Sequence, residues 1–297
     1  MASAIAPRRS ALIQSRRVHA SFLPATGWPY WISGGAAIVA GLASALTLFV
    51  PGVLRGTAVM NGSGRGTAAV VLVVAVPALL TSVFAALRGS ARALIVWLGA
   101  AAYLLYNAIL FLFITPFNQL FFFYVAMFTL SFWALVTTLR AIDAKSYMSR
   151  FPGSFRARAF SSYLALIAVF NAAAWLVNVV PAVFSTSPAA FLAGTGLPTN
   201  PVYVQDLSFW IPLMLVTAVS LWRRRAWGFV LTGAFLVFGV IESVSIAVDQ
   251  WMGSAADPSS AIASAAMAPI FAALALIELV PLFLYMRKLI QPRSFTP

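Results

Sequence analysis

Hydrophobic residues in this chain are gathered into eight long runs, separated by shorter polar stretches. Each run is close to the ~20 residues that an α-helix needs to cross a hydrocarbon core about 30 Å thick. Residues 70–76 and 120–125 are apolar on every side, whereas the strands of a membrane β-barrel would alternate apolar and polar positions. The pattern predicts an all-α, polytopic transmembrane bundle of eight helices, at residues 31–50, 68–87, 93–115, 119–139, 159–182, 205–222, 226–248 and 264–286.

Two terminal segments flank the predicted transmembrane domain of residues 31–290. Residues 1–30 are rich in alanine, serine and arginine, and no acidic residue occurs before Asp143. This segment lacks the continuous apolar core of a secretory signal peptide, although an organellar transit peptide would share its composition. We interpret it as a basic cytoplasmic arm that rests on anionic lipid headgroups, and residues 291–297 as a short cytoplasmic tail.

Composition supports a membrane protein. Hydrophobic residues make up 62% of the chain, charged residues make up 8%, and the mean hydropathy is +0.95. A soluble domain carries about a quarter charged residues. The net charge of +13 would suggest a nucleic-acid partner in a soluble protein, but here the basic residues lie mainly between the apolar runs. We therefore predict the lipid bilayer and its anionic headgroups as partners, and no nucleic acid.

The distribution of basic residues predicts the orientation of the helices. With both termini in the cytoplasm, only Arg55 and Arg65 fall on the external side, which fits the rule that cytoplasmic loops are enriched in lysine and arginine. One helix more or fewer would move later clusters to the wrong side. The cytoplasmic set is Arg8, Arg9, Arg16, Arg17, Arg88, Arg92, Arg140, Lys145, Arg150, Arg156, Arg158, Arg223, Arg224, Arg225, Arg287, Lys288 and Arg293.

Several kinds of catalytic chemistry have no residues to support them. The chain contains no cysteine, and its one histidine, His19, lies on the N-terminal arm. No aspartate is placed in the middle of a predicted helix, and no phosphate-binding glycine-lysine motif occurs. The stretch Gly62-Ser63-Gly64 is interpreted as a turn in an external loop. We predict no catalytic residue, no cofactor and no metal site.

Two glutamates, Glu242 and Glu278, fall inside predicted helices. An ionisable side chain in lipid costs at least a few kcal/mol, so both are expected to face protein or water. Glu242, Ser245 and Asp249 share one helical face because they are spaced at i, i+3 and i+7. If the polar faces of neighbouring helices turn inward together, they form a polar cavity open to the outside. Its predicted members are Glu242, Glu278, Asp206, Asp249, Asn107, Tyr106, Asn171 and Asn178.

A structural interpretation of the same residues stays open. A glutamate in a membrane helix can remain protonated and donate a single hydrogen bond to a neighbour. Asparagine and tyrosine side chains can join helices by hydrogen bonds without any further role.

Several short segments suggest a relationship to other proteins. They are Tyr106-Asn107, Pro-Phe-Asn at 116–118, Phe-Tyr-Val-Ala at 123–126, Gly-Leu-Pro-Thr-Asn-Pro-Val-Tyr-Val at 196–204, Asp206-Leu207, Leu-Trp-Arg-Arg at 221–224 and Trp227-Gly228. Together these resemble a group of uncharacterised bacterial multi-pass membrane proteins that has no assigned activity. The resemblance covers the third to the seventh predicted helix and implies a bacterial cytoplasmic membrane, with no site residue carried over.

Two functions from different classes fit these observations, and an intramembrane enzyme comes third. The first is transport of a small solute or cation, with Glu242 and Glu278 exchanging a proton or binding the cation. The second is a non-transporting membrane module that binds protein partners or lipids. A cavity that reaches Glu242 would favour transport, and packed side chains around both glutamates would favour the module.

Overall fold

Eight long helices form the protein in the computed structural model, which describes Leu23 and residues 27–290. Most of the predicted N-terminal arm and the tail of residues 291–297 lie outside the described residues. Each helix is long and apolar enough to cross a membrane, so the chain is a multi-pass integral membrane protein. The helices are α1 Trp28–Phe49, α2 Ala58–Leu87, α3 Ala91–Phe113, α4 Phe121–Ala141, α5 Ala157–Val183, α6 Pro201–Trp222, α7 Ala226–Ala256 and α8 Met267–Lys288.

Two helices extend at least eight residues beyond the range that the hydrophobic pattern predicts. Helix α7 continues to Ala256, eight residues beyond the predicted end, and α2 begins at Ala58, ten residues before the predicted start. The turn predicted at Gly62-Ser63-Gly64 is therefore wrong, because these residues are helical. Arg65, expected in an external loop, also lies within α2. Glycine-rich polar sequence favours a turn in isolation, but here it lies where two helices touch.

The contact between α2 and α7 depends on glycines four residues apart. A Cβ atom on Gly66 would lie 2.6 Å from Asp249 Cα, and one on Gly62 would lie 2.5 Å from the Met252 carbonyl oxygen. The Ser63 hydroxyl donates a hydrogen bond to the Asp249 carbonyl oxygen at 3.2 Å. Small residues at this spacing let helix backbones approach closely. The glycines thus hold the backbone of Asp249 directly against α2.

Helices α3 and α7 form the centre of the bundle. They cross at a pair of glycines, where a Cβ atom on Gly99 would lie 2.6 Å from Val237 Cβ and one on Gly233 would lie 2.6 Å from Ile95 Cγ2. Helix α3 is the most enclosed of the eight, whereas most side chains of α5 and α8 are exposed at the periphery. Apolar side chains such as Phe170 on α5 are exposed there, as expected of residues on the outer surface of a membrane-spanning helix.

One end of the bundle, here named the basic end, carries most of the positive charge. Its loops are residues 88–90, 142–156 and 223–225, and side-chain hydrogen bonds from Arg92 and Arg224 tie it together. At the other end, named the opposite end, the described basic residues are Arg55 and Arg65. The basic end holds twelve: Arg88, Arg92, Arg140, Lys145, Arg150, Arg156, Arg158, Arg223, Arg224, Arg225, Arg287 and Lys288.

The loop of residues 142–156, which contains a short helix at Ala144–Met148, closes the basic end. We name this loop the plug. Its buried Phe151 contacts Phe229 and Tyr285 with ring centroids 5.1 Å apart in each case, and Phe155 contacts both of the same rings. The Tyr285 hydroxyl donates a hydrogen bond to the Phe229 carbonyl oxygen. The side chains of the plug therefore pack between α7 and α8.

Two helices contain a π-helical turn just before a proline. Val71–Ala75 in α2 precedes Pro77, and Asp206–Trp210 in α6 precedes Pro212. Proline lacks the N–H that an α-helix would use at its position, and a wider turn accommodates the loss. Single π turns often occur at functional sites. In α6 this turn begins at Asp206, one of the predicted cavity residues.

Candidate functional site

Three carboxyl groups, from Asp206 of α6 and from Glu242 and Asp249 of α7, lie close enough to interact electrostatically. Tyr106 and Asn107 of α3 lie beside them. Five of the eight predicted cavity residues are therefore brought together. Their helices are held by the close crossing of α3 and α7 and by Trp210 of α6, which stacks on Phe238 of α7 at 5.2 Å between ring centroids.

Asp206 connects α6 to two neighbouring helices. The indole Nε1–H of Trp175 on α5 donates a hydrogen bond to Asp206 Oδ2 at 2.8 Å. The Tyr106 side chain on α3 also lies beside Asp206. The helix that carries Asp206 begins with a capped turn, because Asn200 Oδ1 accepts hydrogen bonds from the backbone N–H groups of Val202 and Tyr203. The Pro-Thr-Asn-Pro segment thus starts the helix that places this carboxyl group.

Glu242 lies deeper along α7 and is only partly satisfied. Its carboxyl group lies beside the side chain of Asn107 on α3. Its Oε2 atom is buried and has no hydrogen-bond partner in the described part of the chain. Asn107 Nδ2 in turn donates to the Tyr103 carbonyl oxygen at 3.0 Å, which fixes the amide against its own helix. One oxygen of Glu242 is therefore left for a proton or for another ligand.

A cavity of about 200 Å³ opens at the opposite end of the bundle, between α2, α3, α6 and α7. It reaches Asp249, whose Oδ1 accepts a hydrogen bond from the neighbouring Gln250 Nε2 at 3.2 Å. Glu242 is not among its lining residues, so the predicted polar cavity ends two turns short of that glutamate. The polar residues that line it are Asn61, Ser63, Thr67, Thr115, Asp249 and Gln250.

The three carboxyl groups have neutral partners. Trp175 donates a hydrogen bond to Asp206 and Gln250 donates one to Asp249, while Asn107 lies beside Glu242. Within residues 27–290, no lysine or arginine hydrogen-bonds to any of the three. A carboxylate enclosed in a membrane bundle without a counter-charge is unfavourable, so a proton or a small cation would stabilise these groups. The arrangement can therefore hold protons or small cations.

The carboxyl groups do not converge on one point. Over the described range, no group of three or more histidine, cysteine, aspartate or glutamate side chains could hold a metal ion. Seven residues separate Glu242 from Asp249, or about 10 Å along a helix. Such spacing suits stepwise transfer better than tight capture of one ion.

In the described structure, the remaining predicted cavity residues neither line the cavity nor hydrogen-bond with the three carboxyl groups. Glu278 of α8 packs against α7, where it accepts a hydrogen bond from Ser243 Oγ at 2.7 Å, and it is also close enough to Glu242 to interact electrostatically. Asn178 is exposed, and its amide donates to the Ala174 carbonyl oxygen of its own helix, so its predicted place in the cavity is wrong. Asn171 is half-buried, and no described hydrogen bond joins it to the three carboxyl groups. Helix α5 contacts the site through Trp175 instead, since only the indole reaches Asp206.

Sequence reasoning missed Gln205, the neighbour of Asp206. Its Oε1 accepts a hydrogen bond from Trp210 Nε1 at 3.1 Å, and its Nε2 is buried with no hydrogen-bond partner in the described structure. The π turn of residues 206–210 brings this pair into contact at a separation of five residues. If the sequence is assumed to form a regular α-helix, the contact between Gln205 and Trp210 is not expected.

No protein-family model, no curated protein and no solved structure matches the chain.

Proposed function

We propose that this protein is a transporter that moves protons or small cations, alone or together with a small solute, through the bundle. The main supporting observation is that Asp249 lines a polar cavity and Glu242 lies deeper on the same helix. No basic residue of the described structure hydrogen-bonds to either carboxyl group. Ionisable residues inside a membrane bundle commonly mark ion or proton pathways. A transported proton or cation would supply the positive charge that is absent beside these carboxyl groups.

The proposed route begins in the cavity of the opposite end and first meets Asp249. Between Asp249 and Glu242, the hydroxyl groups of Ser245 and Tyr103 provide an intermediate hydrogen-bonding step. Glu242 then receives the proton or cation on its unpartnered Oε2 atom. The plug closes the basic end, so release there requires a second conformation, as in alternating access.

For orientation, we propose that the basic end faces the cytoplasm and the opposite end faces the exterior. Support comes from the asymmetry of the basic residues, because loops rich in lysine and arginine remain on the cytoplasmic side. The bacterial cytoplasmic membrane is the proposed location, on the resemblance described above.

The non-transporting alternative gains support from Glu278, which packs against Ser243 as a structural carboxyl would, and from the cavity, which ends about two turns short of Glu242. It does not account for the unpartnered oxygen of Glu242 or for the cavity beside Asp249. We propose no enzymatic activity, since the described side chains around Asp206, Glu242 and Asp249 do not pair a nucleophile with a general base.

The test uses the purified protein in liposomes that contain a pH-sensitive dye, with a potassium diffusion potential to drive proton entry. Parallel assays measure uptake of radioactive sodium and rubidium. We expect proton or cation flux above that of protein-free liposomes, and a fall of about tenfold or more in Glu242→Gln and in Asp249→Asn, equivalent to at least about 1.4 kcal/mol of barrier.

Glu278→Gln is the matched control because it removes another membrane carboxyl, which is buried, bonded to Ser243 and outside the proposed route. It should retain flux within a factor of about two. Wild-type protein with no flux of any tested ion, or unchanged flux in both Glu242→Gln and Asp249→Asn, would contradict the proposal.

A further inference from the structure

A separate cleft lies between the peripheral helices α5 and α8 at the basic end. Its volume is about 430 Å³. Arg156 and Lys288 stand at its edge, and Tyr163 and Pro281 lie seven residues deeper on the same two helices. Seven residues of helix span about 10 Å, so the cleft runs from the charged rim into the apolar zone. Its walls between these points are Ala159, Phe160 and Leu284.

The two basic side chains at the rim are not engaged by the protein. Within residues 27–290, neither Arg156 nor Lys288 donates a side-chain hydrogen bond, and both are exposed. Their neighbours differ: the Arg158 guanidinium lies over the Trp222 ring at 5.4 Å, and that of Arg287 lies over the Phe283 ring at 5.5 Å. Two available cations therefore face the same cleft from opposite walls.

The cleft also differs from the carboxyl site in its charge. Glu278 is the nearest membrane carboxyl on α8, and ten residues separate it from Lys288, about 15 Å along the helix. An anion held at the rim would be far from that carboxyl group. The basic rim of the cleft favours binding of a negatively charged group, and the apolar inner part favours binding of an apolar chain.

We propose that this cleft binds one anionic phospholipid from the leaflet at the basic end. Its phosphate group is held between Arg156 and Lys288 as charge-assisted hydrogen bonds form from both sides. The upper part of an acyl chain lies against Ala159, Phe160 and Leu284, with Tyr163 near the ester region. Basic pockets between membrane helices are suited to such headgroups, and this binding does not depend on transport.

The experiment measures lipid binding to the delipidated full-length protein in detergent by native mass spectrometry, with phosphatidylglycerol and phosphatidylcholine of equal chain length as probes. We expect one phosphatidylglycerol to bind more tightly than phosphatidylcholine. The double variant Arg156→Gln/Lys288→Gln should lose about thirtyfold in affinity for phosphatidylglycerol, since each basic residue near anionic lipid contributes about fivefold or more. Its affinity for phosphatidylcholine should not change.

The matched control is Arg158→Gln/Arg287→Gln, which removes the same charge from the same two helices outside the cleft. It should lose less than about threefold. Leu284→Trp keeps both rim cations but fills the apolar part, and it should also lose phosphatidylglycerol binding. Circular dichroism establishes that each variant remains helical.

Three results would overturn the proposal. Equal losses in the two double variants would show attraction by overall charge alone. Equal wild-type affinity for the two lipids would remove the role of the rim cations. Displacement of the lipid by millimolar glycerol 3-phosphate would identify an aqueous phosphate site and not a lipid site.

Discussion

The Tyr103 hydroxyl donates a hydrogen bond to Ser245 Oγ at 2.8 Å, and this bond joins α3 to α7 between Asp249 and Glu242. Both side chains are buried, with 0% and 2% of their surfaces exposed. A buried pair of hydroxyl groups, and not the cavity, therefore lies between the two carboxyl groups along α7. Hydroxyls can pass a proton by exchanging donor and acceptor roles.

Replacing Tyr103 with phenylalanine should slow transport. Tyr103→Phe removes the hydroxyl step, and we expect the proton flux in liposomes to fall about tenfold, or about 1.4 kcal/mol of barrier. The loss of one interhelical hydrogen bond should destabilise the bundle by only about 0.5–2 kcal/mol. A flux equal to that of the wild type would exclude this hydroxyl from the route.

Tyr285→Phe is the control for that experiment. Tyr285 is equally buried and also donates a hydrogen bond, to the Phe229 carbonyl oxygen at the basic end. Its loss should lower the midpoint of thermal unfolding by a similar amount while flux is retained. Equal loss of flux in both variants would indicate a general effect on packing.

The close contact of α2 with α7 predicts that Gly66→Ala is harmful. The new Cβ atom would lie 2.6 Å from Asp249 Cα and 2.9 Å from the Val248 carbonyl oxygen, so the helices must separate. We expect a loss of about 1–3 kcal/mol in unfolding free energy, measured by denaturant titration in detergent micelles.

Gly64→Ala provides the comparison on the same helix. A Cβ atom there would meet Leu54 Cδ1 at an ordinary distance of 3.5 Å. The substitution should be neutral or stabilising by up to about 1 kcal/mol, because alanine favours helix more than glycine does. Equal losses in the two variants would mean that the contact of Gly66 with α7 does not matter.

The cavity at the opposite end predicts selective inhibition by a thiol reagent. The natural chain has no cysteine, so Thr67→Cys introduces a single thiol on the wall of the cavity that reaches Asp249. Modification by a small, positively charged methanethiosulfonate should place a cation beside that carboxyl group and block most of the flux. Ser259→Cys, at an exposed site of the same end, should react without loss of flux.

Single cysteines also test the orientation of the helices. Lys145→Cys at the basic end should be labelled by a membrane-impermeant maleimide only after cells are opened, because the positive-inside rule places it in the cytoplasm. Ser187→Cys, in the loop before α6, should be labelled in intact cells. The reverse pattern would invert the proposed direction of transport.

The fold could be predicted from the sequence largely because lipid imposes simple requirements on length and polarity. Eight apolar runs gave eight helices, and the spacing of Glu242, Ser245 and Asp249 predicted their common face. The start of α2 was misplaced because Gly62-Ser63-Gly64 was taken as a turn. The four-residue spacing of Gly62 and Gly66 is the pattern of close helix contact, and it was the available sign of the α2–α7 interface.

The candidate site was predicted only in part, because the sequence does not show which side chains become hydrogen-bond partners in the folded bundle. Depth along a helix placed Asp206, Glu242 and Asp249, but it could not distinguish Glu278, whose partner Ser243 lies on a different helix. Asn178 shares a helix with Trp175, yet it faces outward because an asparagine can satisfy itself on its own backbone. The sequence analysis did not predict that the plug packs between helices. Its three aromatic residues, Tyr147, Phe151 and Phe155, are unusual in a polar loop and were the available sign.

The π turn at Asp206–Trp210 changes how the start of α6 is oriented. Because a π turn accommodates one extra residue, the segment before it is rotated by about 100° relative to an unbroken α-helix. A helical wheel drawn through the whole of α6 would therefore assign Pro201–Gln205 to the wrong side. Deleting one residue within the turn would swing the first part of the helix, including its capped end, away from its present neighbours.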